Sequence, residues 1–466
     1  MDRNNIKEEL NKVGCGFCLA KWTQVTIHLQ LGRTHSCHHP DTHVIPLSEL
    51  KRNPSALHNT KFKKEKRKEM LEGGRPTECA YCWNVEDNSD QHSDRIFKSA
   101  EPWSLPLLDD IKKSDWREDF NPRYVEVAFS NTCNFKCSYC GPSFSSQWVQ
   151  EIERHGAYPT TTNFNGLDYL KKENRMPFKA TEPNPYVDAF WEWWPELYRD
   201  LDTFRITGGE PLLSKDTWGV LDYIIEQKEP NRNLHLAINS NLGVPDNLID
   251  KLIEKINIIE DQRRVKDFVI FTSVDGWGEH AEYGRHGLVF NKFWDNLNKI
   301  LTKCPTVTIG IMSTYNALSV LSYDKLISGV YDLKKEYAST QRAWTTPVSL
   351  DSSFLRYPLH QTVQVLPHNF SGLVKGHGDL MESYEEVFHV GLNKEGVSYG
   401  FTQMEIPKIK RIYDWMISPQ DDYRQMINRR DFYRFFNEHD IRRGTNFCKT
   451  FPEYEEFYNF CKTIVI

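Results

Sequence analysis

Short apolar runs separated by longer amphipathic segments begin at Tyr124 and recur through the middle of the 466-residue chain. The runs have the length of buried strands, and the segments between them carry apolar residues at three- and four-residue spacing, as helices do. Strands that alternate with helices in this way form parallel sheets. We therefore predict an α/β fold with six strands, enough for a partial barrel. The predicted strands are YVEVAFS from Tyr124, TFRIT from Thr203, LHLAINS from Leu234, FVIFTSV from Phe268, TVTIGIM from Thr306 and QTVQVL from Gln361.

Helices are predicted between these strands, in the segments DTWGVLDYIIEQK, NLIDKLIEKI, NKFWDNLNKIL and SYDKLISGVYDLKKEY. The long gap between the first two strands contains four large aromatic residues, Phe190, Trp191, Trp193 and Trp194. Aromatic clusters are mostly core material. We expect these residues to pack an inserted helix rather than to stack on a substrate.

The regions that flank the α/β part have a different composition. Residues 1–98 are rich in cysteine and histidine, and residues 99–122 place three prolines among charged residues, as a surface linker does. The predicted division is a small metal-binding module over 1–98, a linker over 99–122, the α/β domain over 123–370 and a mainly helical region over 371–466.

Charge and hydropathy narrow the class of partner and compartment. The net charge of −6 gives no global attraction to nucleic acid or to an anionic membrane. The basic run from Lys61 to Lys68 is more typical of a charged helical face than of a phosphate contact. No apolar stretch is long enough to span a membrane, and the start MDRNNIKEELNKVG lacks the apolar segment of a secretion signal. We expect a cytoplasmic protein without membrane or nucleic-acid partners.

Cysteine use points to metal chemistry. In the cytoplasm thiols stay reduced, so eleven cysteines are better explained by metal binding than by disulfides. Eight of them precede residue 141, which concentrates the metal chemistry in the first third of the chain. They are Cys15, Cys18, Cys37, Cys79, Cys82, Cys133, Cys137 and Cys140.

The densest cysteine group, Cys133, Cys137 and Cys140, directly follows the first predicted strand. Three thiolates this close together can hold three corners of a cubane four-iron cluster and leave the fourth iron without a protein ligand. The amino and carboxylate groups of a bound amino acid can chelate that iron. The loop therefore predicts an open cluster with an exchangeable ligand.

This C-x3-C-x2-C loop resembles the signature of the radical S-adenosylmethionine (SAM) superfamily. The resemblance implies a partial (β/α)6 barrel, a catalytic 4Fe-4S cluster on Cys133, Cys137 and Cys140, and reductive cleavage of SAM to a 5′-deoxyadenosyl radical. It also implies a low-potential electron donor such as flavodoxin or ferredoxin. Tyr139 stands at the aromatic position whose backbone usually faces the adenine.

Further motifs at later strand ends fit the same superfamily. Gly208, Gly209 and Glu210 match its GGEP motif, whose backbone and carboxylate bind the methionyl ammonium group; a bare sequence of this kind would otherwise read as a turn. Five residues at the ends of the next two strands and beyond match positions that contact the ribose hydroxyls and the methionyl carboxylate. They are Ser240, Asn241, Ser273, Asp275 and Arg285. The alternative is a simple turn at Asp275 and a surface position for Arg285.

A second group of cysteines, Cys18, Cys37, Cys79 and Cys82, resembles the twitch module, a shortened relative of the SPASM domain. That resemblance implies an auxiliary iron–sulfur cluster, although most twitch modules follow the barrel and this one precedes it. Cys15 supplies a fifth thiol nearby, and two C-x2-C pairs, Cys15 with Cys18 and Cys79 with Cys82, also satisfy a four-cysteine zinc site.

The sequence thus favours a radical SAM enzyme that takes hydrogen from an unidentified peptide, protein or small metabolite. Two alternatives stay open. One is a zinc-stapled nucleic-acid-binding protein that uses the basic run, and the other is an iron–sulfur protein that binds SAM without turnover.

Overall fold

The strand that begins at Tyr124 lies inside a large, mostly parallel sheet. The computed structural model describes residues 2–162, 165–338, 346–390 and 399–465. The strands in these ranges are β1 (Gln24–His28), β2 (Arg33–His35), β3 (His43–Val44), β4 (Tyr124–Ala128), β5 (Lys136–Cys137), β6 (Thr203–Thr207), β7 (His235–Asn239), β8 (Asp267–Ser273), β9 (Arg285–His286), β10 (Thr308–Tyr315) and β11 (Val348–Phe354). The large sheet has the order β11-β10-β8-β7-β6-β4-β1-β2-β3, and β5 pairs with β9 separately. The fold is therefore mixed α/β around a central sheet.

Helices follow most of the strands and fill the carboxyl-terminal region. They are α1 (Arg3–Asn11), α2 (Ala20–Thr23), α3 (Leu47–Leu50), α4 (Lys61–Leu71), α5 (Ala80–Asn88), α6 (Asp94–Ser99), α7 (Leu108–Lys113), α8 (Ser146–His155), α9 (Leu167–Lys172), α10 (Pro185–Asp200), α11 (Lys215–Glu226), α12 (Asp246–Asp261), α13 (Gly278–Gly284), α14 (Phe290–Lys303), α15 (Tyr323–Glu336), α16 (Ser371–Val390), α17 (Ile406–Ile417), α18 (Asp422–Arg443), α19 (Phe447–Thr450) and α20 (Glu455–Thr463). The four predicted helices between strands are confirmed as α11, α12, α14 and α15. In the described part of the chain, no helix is both long enough and apolar enough to cross a membrane.

Five of the six predicted strands are confirmed as β4, β6, β7, β8 and β10, and the sixth is wrong. The segment from Gln361 forms short 3-10 turns between Pro358 and Pro367. The strand next to β10 is instead β11. Its apolar residues, Val348 and Leu350, are fully buried, but serine and aspartate alternate with them and weaken the apolar pattern.

The parallel strands have one apolar and one polar face. Val125, Val127 and Ile206 belong to the hydrophobic core beneath the helices. The opposite face carries Arg205, whose guanidinium donates to Asn239 Oδ1 on β7 at 2.8 Å and lies 2.9 Å from Met312 Sδ on β10. Since one side chain reaches three strands along the sheet, the sheet curves strongly around this polar face.

The amino-terminal region contributes directly to the sheet. β1 pairs in parallel with β4, with Gln24 opposite Tyr124 and His28 opposite Ala128. β2 and β3 then continue the sheet in antiparallel fashion. The first hundred residues therefore supply the strands that cover the free edge of β4.

The aromatic cluster packs an inserted helix, as predicted. Asn184 caps α10 by accepting a hydrogen bond from the backbone amide of Tyr186 at 3.0 Å. Phe190, Trp193 and Trp194 are buried in the main core. Trp191 is half-buried, and its indole donates to Asp216 at 2.9 Å.

The basic run is helical, but it is not a uniformly solvated face. Thr60 caps α4 by accepting from the backbone amide of Lys63 at 3.2 Å. Lys63 and Arg67 then point inward and are 1% and 0% exposed. The expected charged surface is present only on the remaining residues of the helix.

Candidate functional site

The three-cysteine loop lies beyond the carboxyl end of β4. The backbone amide of Cys133 donates to Ser146 Oγ at 3.2 Å, and the indole of Trp148 donates to the carbonyl of Cys137 at 2.9 Å. All three thiols line one cavity of about 230 Å³. Seven other predicted site residues line the same cavity: Tyr139, Gly208, Gly209, Ser240, Asn241, Ser273 and Arg285.

The thiols in this cavity are poor acids without a bound cation. Burial raises the pKa of Cys140 to about 12, and it also raises the pKa of Cys133 and Cys137 above the usual range. A cationic iron site compensates this cost because it binds thiolates. Three thiols on one short loop therefore fit three corners of a four-iron cluster in their donor chemistry.

The glycine pair brings the loop after β6 against the segment that leads into Cys133. Gly208 has a φ of +123°. A Cβ at Gly209 would lie 2.4 Å from the carbonyl oxygen of Thr132, closer than two such atoms can approach. The backbone amide of Glu210 donates to the same carbonyl at 2.7 Å. Glycine is needed here for close contact between the two loops.

Glu210 is buried behind the cavity, at 2% exposure. Its carboxylate accepts hydrogen bonds from the backbone amides of Leu212 and Asn241, at 3.0 and 2.7 Å, and from the hydroxyl of Ser240 at 2.9 Å. Burial raises the pKa of Glu210 to about 7, although these donors oppose the shift. The carboxylate thus joins the ends of β6 and β7, and its contact with a methionyl ammonium group stays a prediction.

Asn241 connects the end of β7 to the cysteine loop. Its side-chain amide donates to Asn134 Oδ1 at 2.9 Å, and Asn134 in turn donates to the carbonyl of Gly243 at the same distance. Ser273 closes β8 on the polar face of the sheet. The ends of β4, β7 and β8 therefore meet around one cavity, as the carboxyl ends of parallel strands do.

Asp275 and Arg285 form a buried pair beside the thiols. Arg285 donates to both carboxylate oxygens of Asp275, at 2.8 and 3.0 Å, and lies 3.8 Å from Cys137 Sγ. The hydroxyl of Tyr139 donates to Asp275 at 2.7 Å, and the backbone amide of Thr314 does so at 2.8 Å. Both members of the pair are 6% exposed. The alternative of a simple turn with a surface arginine is therefore wrong.

The carboxyl-terminal region supplies a residue that the sequence analysis missed. Arg443, at the end of α18, donates to the carbonyl of Lys136 inside the cysteine loop at 2.7 Å. It also pairs with Glu151 at 3.2 Å, and Glu151 accepts from Lys136 Nζ at 2.6 Å. No local pattern marks this role, since the partners are about three hundred residues apart. The one local signal is Gly444, a residue type common just beyond a helix end, and it says nothing of the contact.

The second cysteine group also comes together. Cys18, Cys37, Cys79 and Cys82 line one small cavity, whereas Cys15 is exposed and lies outside it. The same cavity is also lined by Asp94, Arg95 and Lys98. Burial raises the pKa of Cys18 to about 12 and that of Cys37 to about 11. Because Cys18 precedes the amino end of β1 and Cys133 follows the carboxyl end of β4, the two groups serve opposite ends of the sheet. Within the described ranges, no three His, Cys, Asp or Glu side chains converge as ligands of a single metal ion.

The chain has partial similarity to known proteins. No family model matches it. It is 29% identical over 118 residues to a GTP 3′,8-cyclase of Campylobacter jejuni subsp. doylei, and 27% identical over 140 residues to one of Sulfurovum sp.. These matches cover 25% and 30% of this chain and 27% and 34% of the relatives, so the chain spans only about a third or less of their length.

Among solved structures, the chain is similar to hexahistidine-tagged anSMEcpe with bound AdoMet, with a TM-score of 0.34 and 14% identity over 58% of this chain and 59% of that one. Native anSMEcpe with bound AdoMet gives a TM-score of 0.33, with 14% identity over 56% of this chain and 60% of the other. Structural similarity at this level does not bear on the site. In its three-cysteine loop and in the sequence match to the cyclases, the chain is similar to the radical SAM superfamily.

Proposed function

We propose that this chain is a radical SAM enzyme whose catalytic site is the cavity around Cys133, Cys137 and Cys140. The observation that carries the proposal is the meeting of three thiols with polar groups from several strand ends in one cavity. Bound there, a 4Fe-4S cluster would supply an electron to the sulfonium of SAM and so release a 5′-deoxyadenosyl radical that abstracts hydrogen from the substrate.

The protein's own part is to bind and orient. The three thiolates hold the cluster, and the backbone at Gly208 and Gly209, brought close by the absence of side chains, offers polar groups to the methionyl end of SAM. Asp275 fixes the guanidinium of Arg285 at the cavity wall, where it can meet a carboxylate. Ser240, Asn241 and Ser273 present short hydrogen-bonding groups suited to the ribose hydroxyls, while the backbone of Tyr139 faces the adenine.

The strongly curved parallel sheet serves in this proposal as the partial (β/α)6 barrel, to which β1 adds a further parallel strand. Residues 1–98 form the twitch-like module, 99–122 the linker, 123–370 the barrel and 371–466 the helical region. The enzyme works in the cytoplasm with a low-potential donor such as flavodoxin or ferredoxin.

Cys18, Cys37, Cys79 and Cys82 hold an auxiliary iron–sulfur cluster in this proposal. Support comes from their shared cavity and from the exposed position of Cys15, which leaves four thiols as the ligand set. Four protein ligands would leave that cluster without an open iron, so its role is electron transfer or structure.

The substrate would lie on the polar face of the sheet, below the catalytic cavity. Arg205 and Glu126 face each other there, 4.0 Å apart. A peptide, a protein side chain or a small metabolite could each form hydrogen bonds or ion pairs with these two side chains.

The direct test is anaerobic reconstitution with iron and sulfide, followed by reduction and addition of SAM. We expect a brown protein that forms 5′-deoxyadenosine. Incubation with host extract and an isotopic hydrogen label would then identify the compound that loses hydrogen to it. A colourless protein with stoichiometric zinc would support a zinc-stapled nucleic-acid-binding protein instead, and SAM binding without 5′-deoxyadenosine would support a non-catalytic iron–sulfur protein.

A further inference from the structure

Three buried basic residues lie near the four-cysteine group. Lys21, Lys63 and Arg67 are 3%, 1% and 0% exposed. Two of them come from the basic run, which the sequence assigned to a solvated face. Burying a charge is costly unless an opposite charge compensates it. The position of these residues therefore calls for a buried anion nearby.

Lys21 touches the cysteine group directly. Its ammonium group forms an ion pair with Glu78 and donates a hydrogen bond to the thiol of Cys79. Glu78 is thus the carboxylate partner of Lys21.

Lys63 and Arg67 share one neutral partner, His58. Lys63 Nζ donates to His58 Nδ1 at 2.7 Å, and Arg67 lies 2.8 Å from His58 Nε2. Arg67 also donates to the backbone carbonyl of Lys21 at 3.2 Å and to the side-chain oxygen of Asn59 at 2.8 Å. His58 Nε2 also lies 2.7 Å from the carbonyl of Trp22, so the imidazole accepts only through Nδ1. Without an opposite charge, burial lowers the pKa of Lys63 well below its usual range.

The charge around the pair does not balance within the protein. Among the described residues, no carboxylate forms an ion pair with Lys63 or Arg67. Asp119 acts on Arg67 only from a distance, and it already binds Lys64 at 2.6 Å. The remaining negative groups that act on Lys63 are Cys37 and Glu78. Carboxylates therefore do not hold Lys63 and Arg67 in their charged forms, whereas an anion at the four cysteines, which include Cys37, would do so.

We infer that Lys21, Lys63 and Arg67 are the counter-ions of an anionic tetrathiolate cluster and that they set its reduction potential. The inference rests on the proposed auxiliary cluster at Cys18, Cys37, Cys79 and Cys82. Reduction of such a cluster adds one negative charge in a region of low dielectric constant, where neighbouring buried cations favour the reduced state strongly. The cations therefore raise the potential and keep the cluster able to accept an electron from a low-potential donor.

The test is a redox titration followed by electron paramagnetic resonance, on the full chain with Cys133, Cys137 and Cys140 replaced by Ala so that only the second cluster contributes. In that background, Lys63→Met removes a cation and should shift the midpoint potential downward. Glu78→Gln removes the carboxylate that pairs with Lys21 and should shift the midpoint potential upward. Lys68→Met is the matched control, since Lys68 lies on the same helix but is exposed and pairs with Glu72, and it should leave the potential unchanged.

Opposite shifts from Lys63→Met and Glu78→Gln would establish the charge effect, because a merely structural role would not change sign with the charge removed. An unchanged potential in both variants at full iron content would overturn the inference. If Lys63→Met fails to bind iron, Glu78→Gln decides alone. Stoichiometric zinc in place of iron in the parent protein would instead overturn the proposed auxiliary cluster. Metal analysis detects that outcome before any titration and so distinguishes it from failure of the inference.

Discussion

Asp275 holds the guanidinium of Arg285 through both of its carboxylate oxygens, and this pair stands against the thiol of Cys137. The same carboxylate accepts from Tyr139 and from the backbone of β10. One residue thereby ties the cysteine loop to two other strand ends. Loss of the Asp275 charge would affect both the stability of the site and the orientation of the Arg285 guanidinium.

Asp275→Asn should destabilise the protein by about 3–5 kcal/mol, because it leaves the buried Arg285 without its counter-charge. It should also weaken SAM binding. Urea unfolding and equilibrium binding measure the two effects. Asp109→Asn is the control: its pair with Lys112 is exposed, and a change of less than about 1 kcal/mol is expected. Equal effects of the two substitutions would contradict the structural role of the pair.

Replacement of Cys133, Cys137 and Cys140 together by Ala should abolish cleavage of SAM and remove one cluster. The physical reason is that the cubane then has no protein anchor in the cavity. Iron should fall from about eight to about four per chain, on the expectation of two four-iron clusters. Formation of 5′-deoxyadenosine by the anaerobically reconstituted variant would refute the catalytic assignment.

Glu210→Gln should change how stability depends on pH. Because the pKa of Glu210 in the folded protein is raised to about 7, the folded state keeps the proton above the usual range of a glutamate. The protonated carboxyl therefore makes its full contribution to the free energy of unfolding below that range. The contribution is lost as the pH rises through about 7, and the loss is up to about 3 kcal/mol for a pKa shift of this size. The variant lacks this loss, so its stability relative to the wild type should rise between about pH 4.5 and 7.

The measurement is urea unfolding of the cluster-free proteins across that range. Glu229→Gln, on an exposed residue, is the control and should alter stability by no more than about 0.5 kcal/mol. A constant difference between Glu210→Gln and the wild type would show that the carboxylate does not titrate as its burial implies. Separately, the variant should bind SAM more weakly, by about 1–3 kcal/mol if the charge meets the methionyl ammonium.

Replacement of Cys79 and Cys82 by Ala should lower iron by about four atoms per chain while the remaining cluster still responds to SAM. Stability should also fall, because a small region loses its metal ligands. Cys15→Ala is the matched control and should keep full iron content, since Cys15 is exposed and lies outside the cavity. Iron loss in Cys15→Ala would show that the ligand set differs from the four cysteines that share the cavity.

The sequence was informative where the signal is local. Cys133, Cys137 and Cys140 lie within eight residues, so their meeting follows from chain connectivity alone. Their neighbourhood with Gly209, Ser240 and Ser273 was also predictable, because parallel strands bring their carboxyl ends to one edge.

Long-range charge pairing was not predictable in the same way. Lys63 and Arg67 belong to a run that has the composition of a solvated helix, and only the packing of α4 shows that they are buried. Arg443 supports a loop from which it is separated by most of the chain. β11 was missed for another reason: it carries polar residues on the concave face of the sheet, so its apolar pattern is sparse.

The pairing of β1 with β4 has a consequence for synthesis. The ribosome makes β1 roughly a hundred residues before β4, which at about 5–20 residues per second leaves β1 without its parallel partner for several seconds or more. During that interval β2 can pair with the opposite edge of β1, and Cys18, Cys37, Cys79 and Cys82 have all been made before β4 begins. Metal can therefore bind at the four cysteines before β4 is made. The nascent amino-terminal region then provides a formed strand edge with which β4 pairs, and the later strands add to the sheet one after another.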